Sequence, residues 1–446
     1  MNTQNTSFWS SNLGFMLACI GAAVGLGNIW KFPYMTGTQG GGAFVFIYLI
    51  TIFAIAIPVA AAELLVGRRG RSDANTSVIN VATENNRTAR WGAIGSLGVL
   101  ASFLLLTFYA VIAGWVSAYI LRALSGQIGG LDAAGAGAMF GGLLAAPGEM
   151  IFHQILFLAL IALILVRQLS SGLERANLIL MPALVLMLML IALYGAVTGD
   201  MAAALAYLFT PDFSKITPAV VQSAVGQGFF SVGVGAAMLI TYGAYLDKSI
   251  NIGKAAIIIG LADTAIALLA GIGVFSIVFG QALDPASGPG LIFTTLPLAF
   301  GQLTGGSVWA FIFFLLVYFA ALTSGLSLGE VIIRWAENRF NWSRQRAMTV
   351  MLSVTFLVGL TTVFSFNIWQ DVTLSGRTLF DTKDYFVTAY LMPLAGLGVV
   401  AFTGWMVPVS QLQDSFGSAG RLFVAWLWSA RIIAPLGVIW MFISGL

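Results

Sequence analysis

Charge is scarce in this chain. Asp, Glu, Lys and Arg make up 8% of its 446 residues, where a soluble domain carries about 25%. That supply cannot cover a surface facing water. Hydrophobic residues reach 59% and mean hydropathy is +0.94, which leaves lipid as the solvent. The one cysteine, Cys19, excludes an intrachain disulfide. The one histidine, His153, removes most metal centres. It also weakens an intramembrane hydrolase: Thr323-Ser324-Gly325 offers a hydroxyl, but His153 belongs to another face or loop with no orienting acid. No filter-like loop suggests a channel, and no signalling domain is expected. No cleavable signal is expected either, since MNTQNTSFWSSN is uncharged and the run after it is broken by glycine.

What is present is long apolar runs without the period-2 alternation of a barrel strand. Only helices or closed barrels satisfy the backbone in hydrocarbon, so the fold class is all-α, polytopic and membrane-embedded. With roughly 20 apolar residues needed per crossing, eleven spans are expected: 13–35, 43–66, 91–123, 151–167, 176–198, 219–246, 252–281, 306–337, 345–367, 385–411 and 424–444. With the N-terminus in the cytoplasm, Lys31, Arg122, Lys215, Arg377 and Lys383 fall outside, and the other fifteen of the 20 Lys and Arg fall inside. That bias follows the positive-inside rule and puts the C-terminus outside. The outward loop 125–150, rich in Gly and Ala, is open to mobility or a short surface helix. The outward segment 283–305 reads equally as a re-entrant lid or a plain connector.

Two spans carry glycine clusters at mid-depth: IGAAVGLGNIWKFPY in the first and GQGFFSVGVGAAM in the sixth. Glycine costs a helix about 1 kcal/mol against alanine and admits another backbone or a ligand. One such cluster alone is more often a packing device. Here the two open successive five-helix halves, about 8–200 and 217–413, with 424–444 as an extra helix and 1–446 as a single transporter domain. An odd count per half inverts one half against the other. Matching breaks in inverted repeats point to a transporter site: freed carbonyls suit a cation and freed helix N-termini suit a carboxylate.

The motifs GAAVGLGNIWKFPY, GGGAF followed by IP and Glu63, Phe108-Tyr109 with Trp115, GQGFFSVGVG, ITYGAYL, ALTSG and TLFDTKDYF run in order along nearly the whole chain. On these the chain resembles a bacterial member of the neurotransmitter:sodium symporter family, with the leucine-transporter fold. The resemblance implies a first sodium site from Ala23, Asn28, Ser231 and Asp263, and a second from Gly21, Val24, Ala320, Thr323 and Ser324. Read without it, Thr323 and Ser324 equally well back-bond within their helix, and Tyr109 is an aromatic packing residue. Asp263 stands in IIIGLADTAIALLAG and supplies the fixed negative charge that chloride supplies in chloride-dependent relatives, so chloride is not expected to be required.

The resemblance further implies a substrate carboxylate held by Tyr109, the N–H groups near Leu26 and Gly27, and the first sodium, with Ser231 and Ser324 close by. Gly25, where monoamine carriers of the family have aspartate, argues for an amino acid bringing its own carboxylate. The side-chain pocket would be lined by Leu105, Phe230, Gly233, Ala236, Gly325 and Leu328. Ala236 stands where the fold's namesake has phenylalanine, which widens the pocket toward bulky hydrophobic or aromatic side chains unless neighbours fill the gap. Gly233 also resembles carriers of longer amino acids such as γ-aminobutyrate.

Glu63 would brace the break in the sixth span, although alone it reads as a side chain snorkelling toward Arg68 and Arg69. Lys31 and Asp384 match an outer charged latch, looser than one built on arginine because lysine lacks the fork. Phe230 and Tyr109 form its lid. Trp9 plugs the inner vestibule. The basic residue expected before Trp9 is replaced by Thr6 and its acidic partner by Asn338, so a charged inner latch is not expected. Arg334 and Glu337 are left to another contact, and Glu330 takes no role. The implied activity is sodium-coupled amino-acid symport by alternating access across a bacterial inner membrane, not catalysis. A non-α amino acid, a sensor and a channel on the same fold stand as alternatives. Sodium, an amino acid and the bilayer are the partners, nucleic acid is not, and the oligomeric state is open.

Overall fold

The computed structural model describes residues 9–167, 169–417 and 420–444; Thr6 lies outside them. Among the described residues, nine continuous helices are long and apolar enough to cross a bilayer, from Gly42–Gly70 to Arg421–Ile443. A tenth crossing is the pair Asn12–Ala23 and Gly27–Thr38, bent by 45°. Where the sixth span is expected, Pro218–Val232 and Met238–Gly243 lie either side of a five-residue interruption. Most expected boundaries fall within a few residues of the observed ones. The tenth span differs most: its helix begins at Leu379 and ends at Met406, because Thr378 caps it by accepting from the Asp381 N–H at 3.1 Å.

Burial separates scaffold from periphery. The most apolar stretch of Ala89–Leu124 is 78% buried, as is that of Gly306–Phe340, whereas for Ser171–Thr198 and Arg421–Ile443 the figure is 33%. The third and eighth spans therefore pack along each other at the centre. The fourth, fifth, ninth and eleventh turn side chains such as Leu163, Leu193, Leu357 and Leu436 outward, as a lipid-facing surface requires. The second span, Gly42–Gly70, packs against both halves of the sixth and against the seventh.

Each of the two segments expected on the outward side folds. Residues 125–150 contain the helix Ala133–Leu144. Residues 283–305 form a short turn and the helix Thr295–Gly301, with Ile292, Phe293 and Leu296 fully buried. Trp30 Nε1 donates to the Pro289 carbonyl at 3.2 Å and the Tyr119 hydroxyl donates to that of Phe293 at 2.6 Å. The segment is thus a packed cap over the first and third spans rather than a loose connector.

Close approach explains Gly67. A Cβ there would overlap the Ile240 carbonyl oxygen and lie 3.0 Å from the Ala244 nitrogen, so this glycine lets the second span lie against the inner half of the sixth. Gly67→Val is expected to cost about 1–3 kcal/mol of overpacking strain and to lower the thermal midpoint in detergent. Gly226→Ala, where the nearest atom would be 3.7 Å away, should leave it unchanged or higher. Thermal unfolding of the two purified variants checks the contrast.

Candidate functional site

The first helix ends at Ala23. Val24 leaves helical geometry at φ −71°, ψ 106°, and the chain re-enters a widened, π-type turn at Gly27–Lys31, a distortion that recurs at functional sites. The sixth breaks at Gly233, where φ is +72°, followed by Gly235 at +82° and Ala237 at +58°. These left-handed conformations suit the glycines. Ala237 adopts one at a cost its surroundings must absorb.

The orphaned backbone groups find side chains. Asn28 Oδ1 accepts from the Gly25 N–H at 3.1 Å, and the Tyr109 hydroxyl accepts from the Leu26 N–H at 3.1 Å. Glu63 Oε1 accepts from the Gly235 N–H at 2.7 Å, the bracing contact expected of it, and Ser102 donates to the Ala236 carbonyl. Gln227 Nε2 donates to the Gly27 carbonyl at 2.8 Å and so ties the helix leading into the second break to the first.

Around these breaks two polar clusters form, and in the first the Asn28 amide presents its nitrogen, the expected side-chain oxygen being turned to the Gly25 N–H. In one, Asn28 Nδ2 donates to Asp263 Oδ1 at 2.7 Å, to the Asp263 carbonyl at 3.0 Å and to Ser231 Oγ at 3.2 Å. Ser231 Oγ donates to Asp263 Oδ2 at 2.7 Å. Tyr48 joins at 3.0 Å from Ser231 and donates to Asp263 Oδ2 at 3.4 Å. Asn28, Ser231 and Asp263 are thus brought together, fully buried; Ala23 is the last residue of the first helix. In the other cluster, Ser324 Oγ lies 3.2 Å from the carbonyls of both Gly21 and Val24. Thr323 Oγ1 lies 3.3 Å from Val24 O and 3.0 Å from Ala320 O. All five expected oxygens converge. Thr323 does back-bond within its helix, and it also reaches across to the first.

Between the clusters lies Gly25. A Cβ on it would overlap Ser324 Oγ and stand 2.7 Å from the Tyr109 hydroxyl. Of the expected pocket residues, Leu105, Phe230, Ala236 and Leu328 are all buried. Gly325 is placed differently: a Cβ built on it would lie 2.8 Å from Phe157 and 3.1 Å from Ile161, so it serves packing between the eighth and fourth spans.

Both approaches are closed. Lys31 Nζ sits astride the two Asp384 oxygens at 2.7 and 2.9 Å and 4.4 Å from the centre of the Phe230 ring. A single ammonium between two oxygens makes a close latch without a fork, so the expected looseness is not found. Above it opens a cavity of about 170 Å³ lined by Tyr34, Gln222, Gln227 and Thr388 among others. At the opposite end Trp9 Nε1 donates to the Tyr242 carbonyl at 3.3 Å, its ring edge-on to Tyr242. Ser10 donates twice to Glu174, from N at 2.9 Å and from Oγ at 2.6 Å. A carboxylate therefore does anchor the N-terminal segment, through serine rather than a basic residue. Asn338 instead donates to Asp73 at 2.9 Å and Ser72 at 3.0 Å. Glu330 is buried and pairs with Arg344 at 2.6 Å, and Glu337 lies 3.6 Å from Arg334 and 3.7 Å from Arg344. Tyr48, Ser102, Gln227 and Glu174 escape a sequence reading. Only Glu174, an acid beside SSGL at the start of an apolar run, carried a visible signal.

The pattern of the sodium:neurotransmitter symporter family matches residues 6–130 and 139–446. The chain belongs to that family. This member is 35% identical over 448 residues to an uncharacterized sodium-dependent transporter, YhdH, of Bacillus subtilis (strain 168), covering all of this chain and 98% of the relative. It is 32% identical over 453 residues to an uncharacterized sodium-dependent transporter of Haemophilus influenzae, covering all of this chain and 99% of the relative. The crystal structure of MhsT in complex with L-phenylalanine superposes with a TM-score of 0.93 at 38% identity, over 99% of this chain and all of that one. Family and fold are those of a multi-pass, sodium-dependent membrane transporter, not of an enzyme.

Glu63 offers a direct check on the bracing of the sixth span. Glu63→Ala leaves the Gly235 N–H buried without an acceptor, a loss of about 1–3 kcal/mol, and should lower the thermal midpoint. Glu63→Gln keeps an acceptor oxygen and should recover most of it.

Proposed function

We propose that this symporter-family member couples the uptake of a neutral, bulky hydrophobic or aromatic amino acid to two sodium ions, without chloride. It does so as a single domain of two inverted repeats, 8–200 and 217–413, in a bacterial inner membrane, with the N-terminus cytoplasmic and the C-terminus outside. The observation that carries the reading is the convergence of the Gly21, Val24 and Ala320 carbonyls with the Thr323 and Ser324 hydroxyls, the donor type an alkali cation prefers, beside the cradle made by Gly25 and Tyr109, with Ser231 and Asp263 oxygens on its other side; Asn28 would turn its amide oxygen to the first ion. The fold shared with a transporter that holds L-phenylalanine supports the substrate class.

In this reading the first sodium takes Ala23, Asn28, Ser231 and Asp263, and the second takes Gly21, Val24, Ala320, Thr323 and Ser324. Their mutual hydrogen bonds are exchanged for the ion. The substrate carboxylate completes the first sodium's shell and accepts from the Tyr109 hydroxyl and the N–H groups near Leu26 and Gly27, so sodium and substrate bind cooperatively. Asp263 contributes a resident charge in the place of chloride. The Lys31–Asp384 latch with Phe230, and Trp9 with Ser10–Glu174, open in alternation as the first, second, sixth and seventh spans rock against the rest. Each sodium carried inward gains about 2.3 kcal/mol per 100 mV.

Proteoliposomes test this. Phenylalanine uptake should require an inward sodium gradient, fail with potassium, and persist when gluconate replaces chloride; loss in gluconate would refute chloride independence. Ser324→Ala should raise the half-saturating sodium concentration about tenfold or more. Gly25→Asp should abolish uptake, because its side chain would occupy the carboxylate's place.

A further inference from the structure

We infer that Met238, rather than Ala236, sets the upper size limit of the substrate side-chain pocket; this rests on the amino-acid symport reading above. The left-handed turn at Ala237 brings the first side chain of Met238–Gly243 back toward the start of the break. A Cβ built on Gly233 would overlap the Met238 methyl carbon, with the Ala22 carbonyl oxygen 3.7 Å away. The Met238 thioether thus lies against the open face of Gly233, beside the end of the first helix. It is 3% exposed.

The rest of the break is clamped from other sides. Ser102 holds the Ala236 carbonyl. A Cβ on Gly98 would lie 2.8 Å from the Ala237 Cβ, and one on Gly235 would overlap the Met392 carbonyl oxygen. The third and tenth spans therefore back residues 235–237, whereas the Gly233 face is closed by one flexible side chain. Room left by glycine at 233 is taken up by methionine at 238. With three rotatable bonds and a polarizable sulfur, methionine adapts its shape to irregular gaps, so the limit it sets is a yielding one.

The test uses purified full-length protein in sodium, with dissociation constants for leucine and tryptophan measured on wild type, Met238→Ala and Met238→Val. Truncation to alanine is expected to shift the ratio of the two constants in favour of tryptophan by about tenfold, the scale on which pocket methylenes discriminate. Valine should give a smaller shift in the same direction. Valine also carries the test if the alanine variant does not fold. A wild type that binds neither leucine nor tryptophan in sodium overturns the proposed bulky hydrophobic or aromatic substrate class and this inference with it. A wild type that binds, with the ratio unmoved in the folded variants, overturns this inference alone.

Discussion

A helix interrupted inside hydrocarbon leaves N–H and C=O groups that lipid cannot satisfy. The molecule is organised around meeting that demand. Glu63, Asn28, Tyr109, Ser102 and Gln227 each spend a polar group on the backbone of a break. They come from the first, second, third and sixth spans, so the two interruptions hold the scaffold together as much as it holds them.

The same demand lines the breaks with polar groups whose partners can be exchanged. A carbonyl released from a helix and answered by a hydroxyl, as Val24 is by Thr323 and Ser324, is one exchange away from answering an ion. Asp263 is engaged by Asn28, Ser231 and Tyr48, so its charge is held by hydrogen bonds and not left bare in a low dielectric. Packing then determines how large a ligand fits. Gly25 has no room for a side chain beside Tyr109, and Gly233 has none beside Met238.

The ends of the pathway are closed by different chemistry. Lys31 and Asp384 form an ion pair near the surface, with side-chain exposures of 8% and 23%. At the other end an indole and a serine bind a carbonyl and a buried glutamate. Two arginines are committed elsewhere: Arg344 to Glu330, and Arg68 to the Ile250 carbonyl at 2.6 Å. Breaking the second closure therefore exchanges hydrogen bonds rather than separating a full pair of charges, apart from the glutamate that Ser10 releases.

Hydropathy is a local property, and it determined that the chain is helical and where most spans run; the interruptions of the first and sixth were read from the matched placement of two glycine clusters at the head of successive five-helix halves. Motif order added the identities of most site residues. Partnership was decided only by tertiary structure, because it joins positions far apart in the chain: Asn28 meets Asp263 across 235 residues, and Ser324 meets Gly21 across 303. Tyr48 and Ser102 look like ordinary hydroxyls in apolar helices until folding aims them at Asp263 and the Ala236 carbonyl. Gly325, expected in the pocket, faces Phe157 instead, since a glycine's sequence context does not say which neighbour its missing side chain admits. Ala236 suggested added room for the same reason. Only the fold returned Met238 to the space beside Gly233, because a left-handed turn at Ala237 redirects the chain in a way no hydropathy pattern encodes.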